Sequence, residues 1–171
     1  MSEAKDGAMG VVLGASRDTV TDMLSEKEYS KLQLANINTP TQHVVSGDSA
    51  QLDTFGVAAQ EIGYRWVRLN VSGAFHSDLM RSASSSFRNF LDSCNFYPLC
   101  IPVISNVTST EYPMSDRDAL IDLLSRQLCE PVEWQKSMEY ATKCNFKLDE
   151  YGPKRTLTSM YQETSLAWMN S

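Results

Sequence analysis

The apolar positions of this chain follow two periods, and the switch between them outlines the fold. Met9, Val11, Val12 and Leu13 crowd together and predict a strand over 9–13. Ser16 then offers an N-cap for a helix over 16–29, with Val20, Met23 and Leu24 on one stripe. Two short strands over 32–37 and 43–45 follow, joined by a turn at Asn38, Thr39 and Pro40. Asp48 opens a second helix through Leu52, Phe55, Ala59 and Ile62, which Gly63 stops. Over 64–71 the period returns to two, with Trp66, Arg68 and Asn70 alternating against Val67, Leu69 and Val71. The order is βαββαβ, the ferredoxin-like split pattern, over residues 6–72.

Beyond residue 73 the pattern is mostly helical. Leu79, Met80, Ala83, Phe87, Phe90 and Leu91 form the stripe of a helix over 77–92, with Ser77 as its expected cap. A proline-bounded strand is expected over 101–106. Helices over 116–128 and 132–143 are separated by Pro131, which suits the first turn of the second. A short strand over 146–148, a break at Gly152-Pro153 and a last helix from Arg155 complete an α/β chain without internal repeats.

Composition narrows the class. The 171 residues, 42% of them hydrophobic, suffice for one packed domain or two small subdomains. The formal charge of −6 opposes nucleic acid and anionic membranes as main partners, although Arg81 and Arg88 sit seven apart on one expected helix face. No apolar run reaches a bilayer-spanning length, and the first residues lack the apolar core of a secretory signal. An intracellular location is expected, in the cytoplasm or an organelle such as the mitochondrion, not secretion. Cys94, Cys100, Cys129 and Cys144 form no Cys-x-x-Cys pair and read as buried free thiols rather than a zinc or redox site.

Candidate chemistry centres on Val71-Ser72-Gly73-Ala74-Phe75-His76-Ser77, which sets one of two histidines after a strand and before a helix. Imidazole titrates near neutrality and serves as a base, yet position alone favours a structural histidine. His43, inside a short strand, reads as structural. Serines crowd His76, but none lies in a Gly-x-Ser-x-Gly elbow, and no Asp or Glu is placed by sequence to orient the ring. Gly10 and Gly14 lack phosphate-loop spacing, and paired metal ligands are absent.

Several segments together resemble the malonyl-CoA:acyl carrier protein transacylases and the acyltransferase domains of fatty acid and polyketide synthases. They are Gly7-Ala8-Met9; the stretch from Ala35 through Asn36, Asn38 and Pro40 to Gln42 with Ser46-Gly47; the His76 motif; Pro102 to Thr108; Arg126-Gln127-Leu128 with Pro131 and Trp134; and Glu150 to Pro153. Thr41 and Lys154 stand where that family carries glycine.

The resemblance implies a small ferredoxin-like subdomain over 6–72 and, over 73–171, the C-terminal part of an α/β hydrolase-like core. It implies ping-pong transfer of malonyl from CoA, through a serine, to the phosphopantetheine thiol of an acyl carrier protein, with no cofactor and no metal. His76 is then the general base, and the backbone carbonyl of Gln127 orients it. Phe75 resembles the malonyl-selective form; Asn36, Asn38 and Asn106 match polar positions near the cleft. The family's Gly-His-Ser-Leu-Gly elbow, oxyanion loop and malonyl-gripping arginine do not occur in these residues. The expectation is therefore a C-terminal portion, inactive alone and prone to self-association or to pairing with a missing segment. The alternative is a non-catalytic carrier-protein-binding module or pseudoenzyme.

Overall fold

A computed structural model describes residues 6–169. Its sheet comprises β1 (Gly7–Leu13), β2 (Leu32–Thr39), β3 (Gln42–Asp48) and β4 (Arg65–Arg68). The strands lie in the order β2-β3-β1-β4 with every pairing antiparallel. The central strands β1 and β3 are buried on both faces, while the edge strand β4 is short and largely exposed.

Helices α1 (Arg17–Leu24) and α2 (Ser49–Glu61) cover one face of the sheet. Each begins at a side chain that satisfies orphan backbone donors. The Ser16 hydroxyl accepts from the Thr19 N–H at 3.2 Å, and the Asp48 carboxylate accepts from the Ala50 and Gln51 N–H groups at 3.1 Å. Val12, Val20, Val45, Leu52 and Phe55 form the centre of this core, and Tyr29 and Trp66 meet Phe55 edge-on. The first helix is shorter than its pattern suggests. The Ser25 hydroxyl donates to the Asp22 carbonyl, Glu26 turns extended, and a 3-10 turn at Lys27–Tyr29 then carries Tyr29 into the core.

The opposite face, with Met9, Val11, Ala35 and Val44, belongs to the second half of the chain. That half contains α3 (Arg81–Asp92), α4 (Arg117–Arg126), α5 (Trp134–Lys143) and α6 (Thr156–Met169). α3 packs on α4, and α5 and α6 pack on β2. The Ile37 N–H donates to the Val132 carbonyl at 2.9 Å, and the Val132 N–H donates to the Ala35 carbonyl at 2.8 Å. Arg17 grips Glu133 through two hydrogen bonds of 3.2 and 3.1 Å, and the Thr39 and Thr41 hydroxyls donate to Glu163.

Neither strand expected over 101–106 and 146–148 forms. The first segment makes one isolated bridge, between Ile104 and Glu111, and the second is irregular. A strand needs a lateral partner for its backbone groups, and among the described residues no strand lies beside either segment. Their apolar side chains, Ile101, Val103, Phe146 and Leu148, stay exposed. The cysteines also depart from expectation: all are free, but Cys94 and Cys129 are half-buried and Cys100 and Cys144 exposed. They sit in loops and at helix ends, which the core does not cover.

Candidate active site

After β4 the chain leaves the sheet, its last ladder bond running from the Leu69 N–H to the Met9 carbonyl at 2.9 Å. Gly73 and Ala74 are buried, and His76 follows with φ 58 in the left-handed region. A non-glycine residue there costs roughly 1–3 kcal/mol and must be held by its surroundings. The His76 N–H donates to the Leu128 carbonyl at 3.0 Å, and its ring Nδ1 lies 2.8 Å from the Gln127 carbonyl oxygen.

Both acceptors lie just beyond α4, where helix carbonyls lack intrahelical donors and carry the negative end of the helix dipole. The preceding turn is closed in the same way, for the Ser84 hydroxyl of α3 donates to the Ser125 carbonyl at 2.7 Å. A carbonyl oxygen only accepts, so Nδ1 carries a proton, and in the neutral ring Nε2 presents its lone pair. The ring is thus held through Nδ1 by a backbone carbonyl, in the place where a catalytic triad uses a carboxylate.

His76 lines a cleft of about 720 Å³ between α1 and β2 on one side and α3 and the end of α4 on the other. Leu24, Leu32 and Leu34 give it an apolar wall, with Arg81, Ser85 and Arg126 on the polar side. Arg81 pairs with Asp78 at 2.5 Å, and Arg126 is held between Asp122 and Glu130, which raise its affinity for its proton further. Arg88 pairs with Asp122 and does not share the cleft with Arg81. Cys129 also lines the cleft; burial pushes its thiol up and keeps it protonated.

The other residues singled out from the sequence are dispersed. Phe75 adjoins His76 and is 36% exposed, outside the cleft lining. Asn36 and Asn38 are half-buried on β2, and neither lines the cleft. Asn106 is exposed; its carbonyl accepts from the Glu133 N–H at 3.0 Å, and it borders a separate recess with Val103, Trp134 and Phe146. Ser77 is buried, and its hydroxyl donates to the Ala74 carbonyl at 2.7 Å instead of capping a helix. Gln33, at the site, carries no signal in the sequence beyond its polarity, and Ser84 is one of the serines that crowd His76 along the chain. Among the described residues no group of His, Cys, Asp or Glu could hold a metal ion, and no helix is long and apolar enough to cross a membrane.

No protein-family model matches the chain. A polyketide biosynthesis malonyl CoA-acyl carrier protein transacylase of Bacillus velezensis, BaeC, is 35% identical over 165 residues, which cover 94% of this chain and 55% of that protein. The crystal structure of malonyl CoA-acyl carrier protein transacylase from Burkholderia pseudomallei superposes with a TM-score of 0.87 at 34% identity, covering 97% of this chain and 58% of that one. A second similar structure, a malonyl-transacylase in complex with its type II polyketide synthase acyl-carrier protein, superposes with a TM-score of 0.88 at 28% identity over 94% of this chain and 52% of that one. The chain therefore spans about half the length of the curated transacylases it matches, and over that span it is similar to malonyl CoA-acyl carrier protein transacylases.

Proposed function

We propose that this chain carries the base-bearing part of a malonyl-CoA:acyl carrier protein transacylase, an acyltransferase of fatty acid or polyketide biosynthesis. The observation that carries this reading is the His76 ring held through Nδ1 by the Gln127 carbonyl, beside a cleft open to a substrate. Nε2 takes the proton of a serine as its oxygen attacks the malonyl thioester carbon. The proton then goes to the departing CoA sulfur. In the second half-reaction Nε2 takes the proton of the carrier-protein pantetheine thiol, the thiolate attacks the acyl-serine, and the serine oxygen leaves reprotonated. Malonyl-CoA is substrate, and no step calls for a cofactor.

The serine of this reaction lies outside the 171 residues. The nearby Ser77 and Ser84 hydroxyls are engaged with carbonyl oxygens. Residues 6–72 and 73–171 act as two units, a reading supported by the confinement of all four strands to the first. Phe75 disfavours branched acyl groups, and Asn36, Asn38 and Asn106 contact substrate once the remainder of the fold is in place. Both Arg81 and Arg88 are paired, with Asp78 and Asp122, but Arg81 lines the cleft and Arg88 does not, so Arg81 is the better-placed contact for an acidic carrier protein. A cytoplasmic setting fits the bacterial sources of the relatives, which lend no support to an organelle.

The test is complementation. The chain is mixed with a polypeptide bearing the Gly-His-Ser-Leu-Gly half of a similar transacylase, and labelled malonyl is followed onto a carrier protein. Neither part alone transfers, the mixture does, and His76→Ala lowers the rate by about 10²–10⁴-fold. Stable malonylation of a serine in the isolated chain, or full activity of the His76→Ala mixture, overturns the proposal.

A further inference from the structure

We propose that Gln33, on the edge strand β2, is a positioning residue for His76. This rests on the reading of His76 as the base, but the geometry stands apart from it. The 3-10 turn Asp78–Met80 starts directly after Ser77, and its first N–H groups have no partner within the turn. Ser77 occupies the N-cap position, yet its hydroxyl is turned inward to the Ala74 carbonyl, so it caps nothing. The missing cap comes from across the chain, where Gln33 Oε1 accepts the Asp78 N–H at 2.6 Å. The donor is a backbone N–H, so the amide oxygen is the end of the Gln33 side chain that faces it.

His76 is thereby fixed on both flanks. On one side its own N–H is held by the Leu128 carbonyl at 3.0 Å, and two residues later the Asp78 N–H is held by Gln33. Between them lies the backbone at φ 58, a conformation that relaxes unless both ends are tied. A relaxed turn carries the ring away from the Gln127 carbonyl and frees Nδ1. Gln33 lines the same cleft as His76. Through this contact the four-stranded sheet, together with the carbonyls at the end of α4, sets the direction of the imidazole.

The experiment reads the tautomer of His76 in the intact ¹⁵N-labelled chain by long-range ¹H–¹⁵N correlation. Only two histidines contribute, and the His76 signals are identified by their loss in His76→Gln. In the unsubstituted protein His76 gives the pattern of a single Nδ1–H tautomer. Gln33→Ala loses that pattern and gives one averaged between tautomers, with thermal midpoint unchanged, because an exposed hydrogen bond contributes little to global stability. Gln33→Glu, which keeps an acceptor at the same reach, restores the single pattern. An unaltered His76 pattern in Gln33→Ala, or the same loss in both variants, overturns the proposal. No acyl transfer enters the readout, so a His76 that proves not to be the base leaves the result interpretable.

Discussion

His43 and His76 show how environment separates two copies of one side chain. His43 is 0% exposed in β3, paired in register with Val12 and Ile37, and among the described residues neither ring nitrogen has a hydrogen-bond partner. The Pro40 and Ala15 carbonyls lie nearby without reaching bonding geometry, so burial dominates and pulls its pKa down. Arg17 on α1 pulls in the same direction and Glu163 on α6 opposes it. The unfolded chain therefore takes up a proton below about pH 6.5 that the folded chain refuses. Stability from this residue is complete above that pH and is lost as pH falls below it. His43→Leu is expected to flatten the decline in thermal midpoint between pH 7.5 and 5.5 and to raise stability at the acidic end, since it removes a buried unpaired polar ring. Parallel pH curves for the two proteins would sink this account.

At the scale of elements, β1, β4 and α2 are locked together by one indole. Trp66 of β4 lies against the backbone at Gly10 of β1 and at Gly56 of α2, where any Cβ would collide with its ring. Glycine inside a helix ordinarily costs about 1 kcal/mol relative to alanine. Here the sign reverses, because an added methyl group displaces Trp66 from its contact with Phe55 at an expected cost of about 1–3 kcal/mol. Gly56→Ala should lower the urea midpoint in the natural sequence and raise it in a Trp66→Val background. A loss of similar size in both backgrounds would remove the indole as the cause. The α4 terminus shows the same economy of parts, since the carbonyls the helix cannot satisfy are those that hold His76.

The molecule as a whole is unevenly covered. The sheet is enclosed between α1 and α2 on one side and α5 and α6 on the other. The region from α3 onward instead exposes Phe90 at 61%, Tyr97 at 81% and Ile101 at 72%, together with Phe146 and Leu148. These side chains are the expected site of self-association or of cover by a complementing half. The isolated chain is expected to bind a hydrophobic dye and to sediment above its monomer mass of 19.2 kDa, and both signals should fall when the complementing half is added. A dye-silent monomer would contradict this.

The order of elements through residue 68 was readable from period and caps. Ser16 and Asp48 cap where their side chains suggest, and the crowded apolar run Met9, Val11, Val12 and Leu13 forms β1. Local rules suffice there because each element finds its partner within a few tens of residues. The unformed strands at 101–106 and 146–148 have the right composition, but pairing is a property of neighbours, which periodicity does not contain. At the site, residues alone offered a histidine after a small-residue turn, and family resemblance supplied Gln127. The hold of the Gln127 carbonyl on the left-handed His76 and the cap lent by Gln33 are decided only in three dimensions, because each depends on atoms brought together from distant parts of the chain.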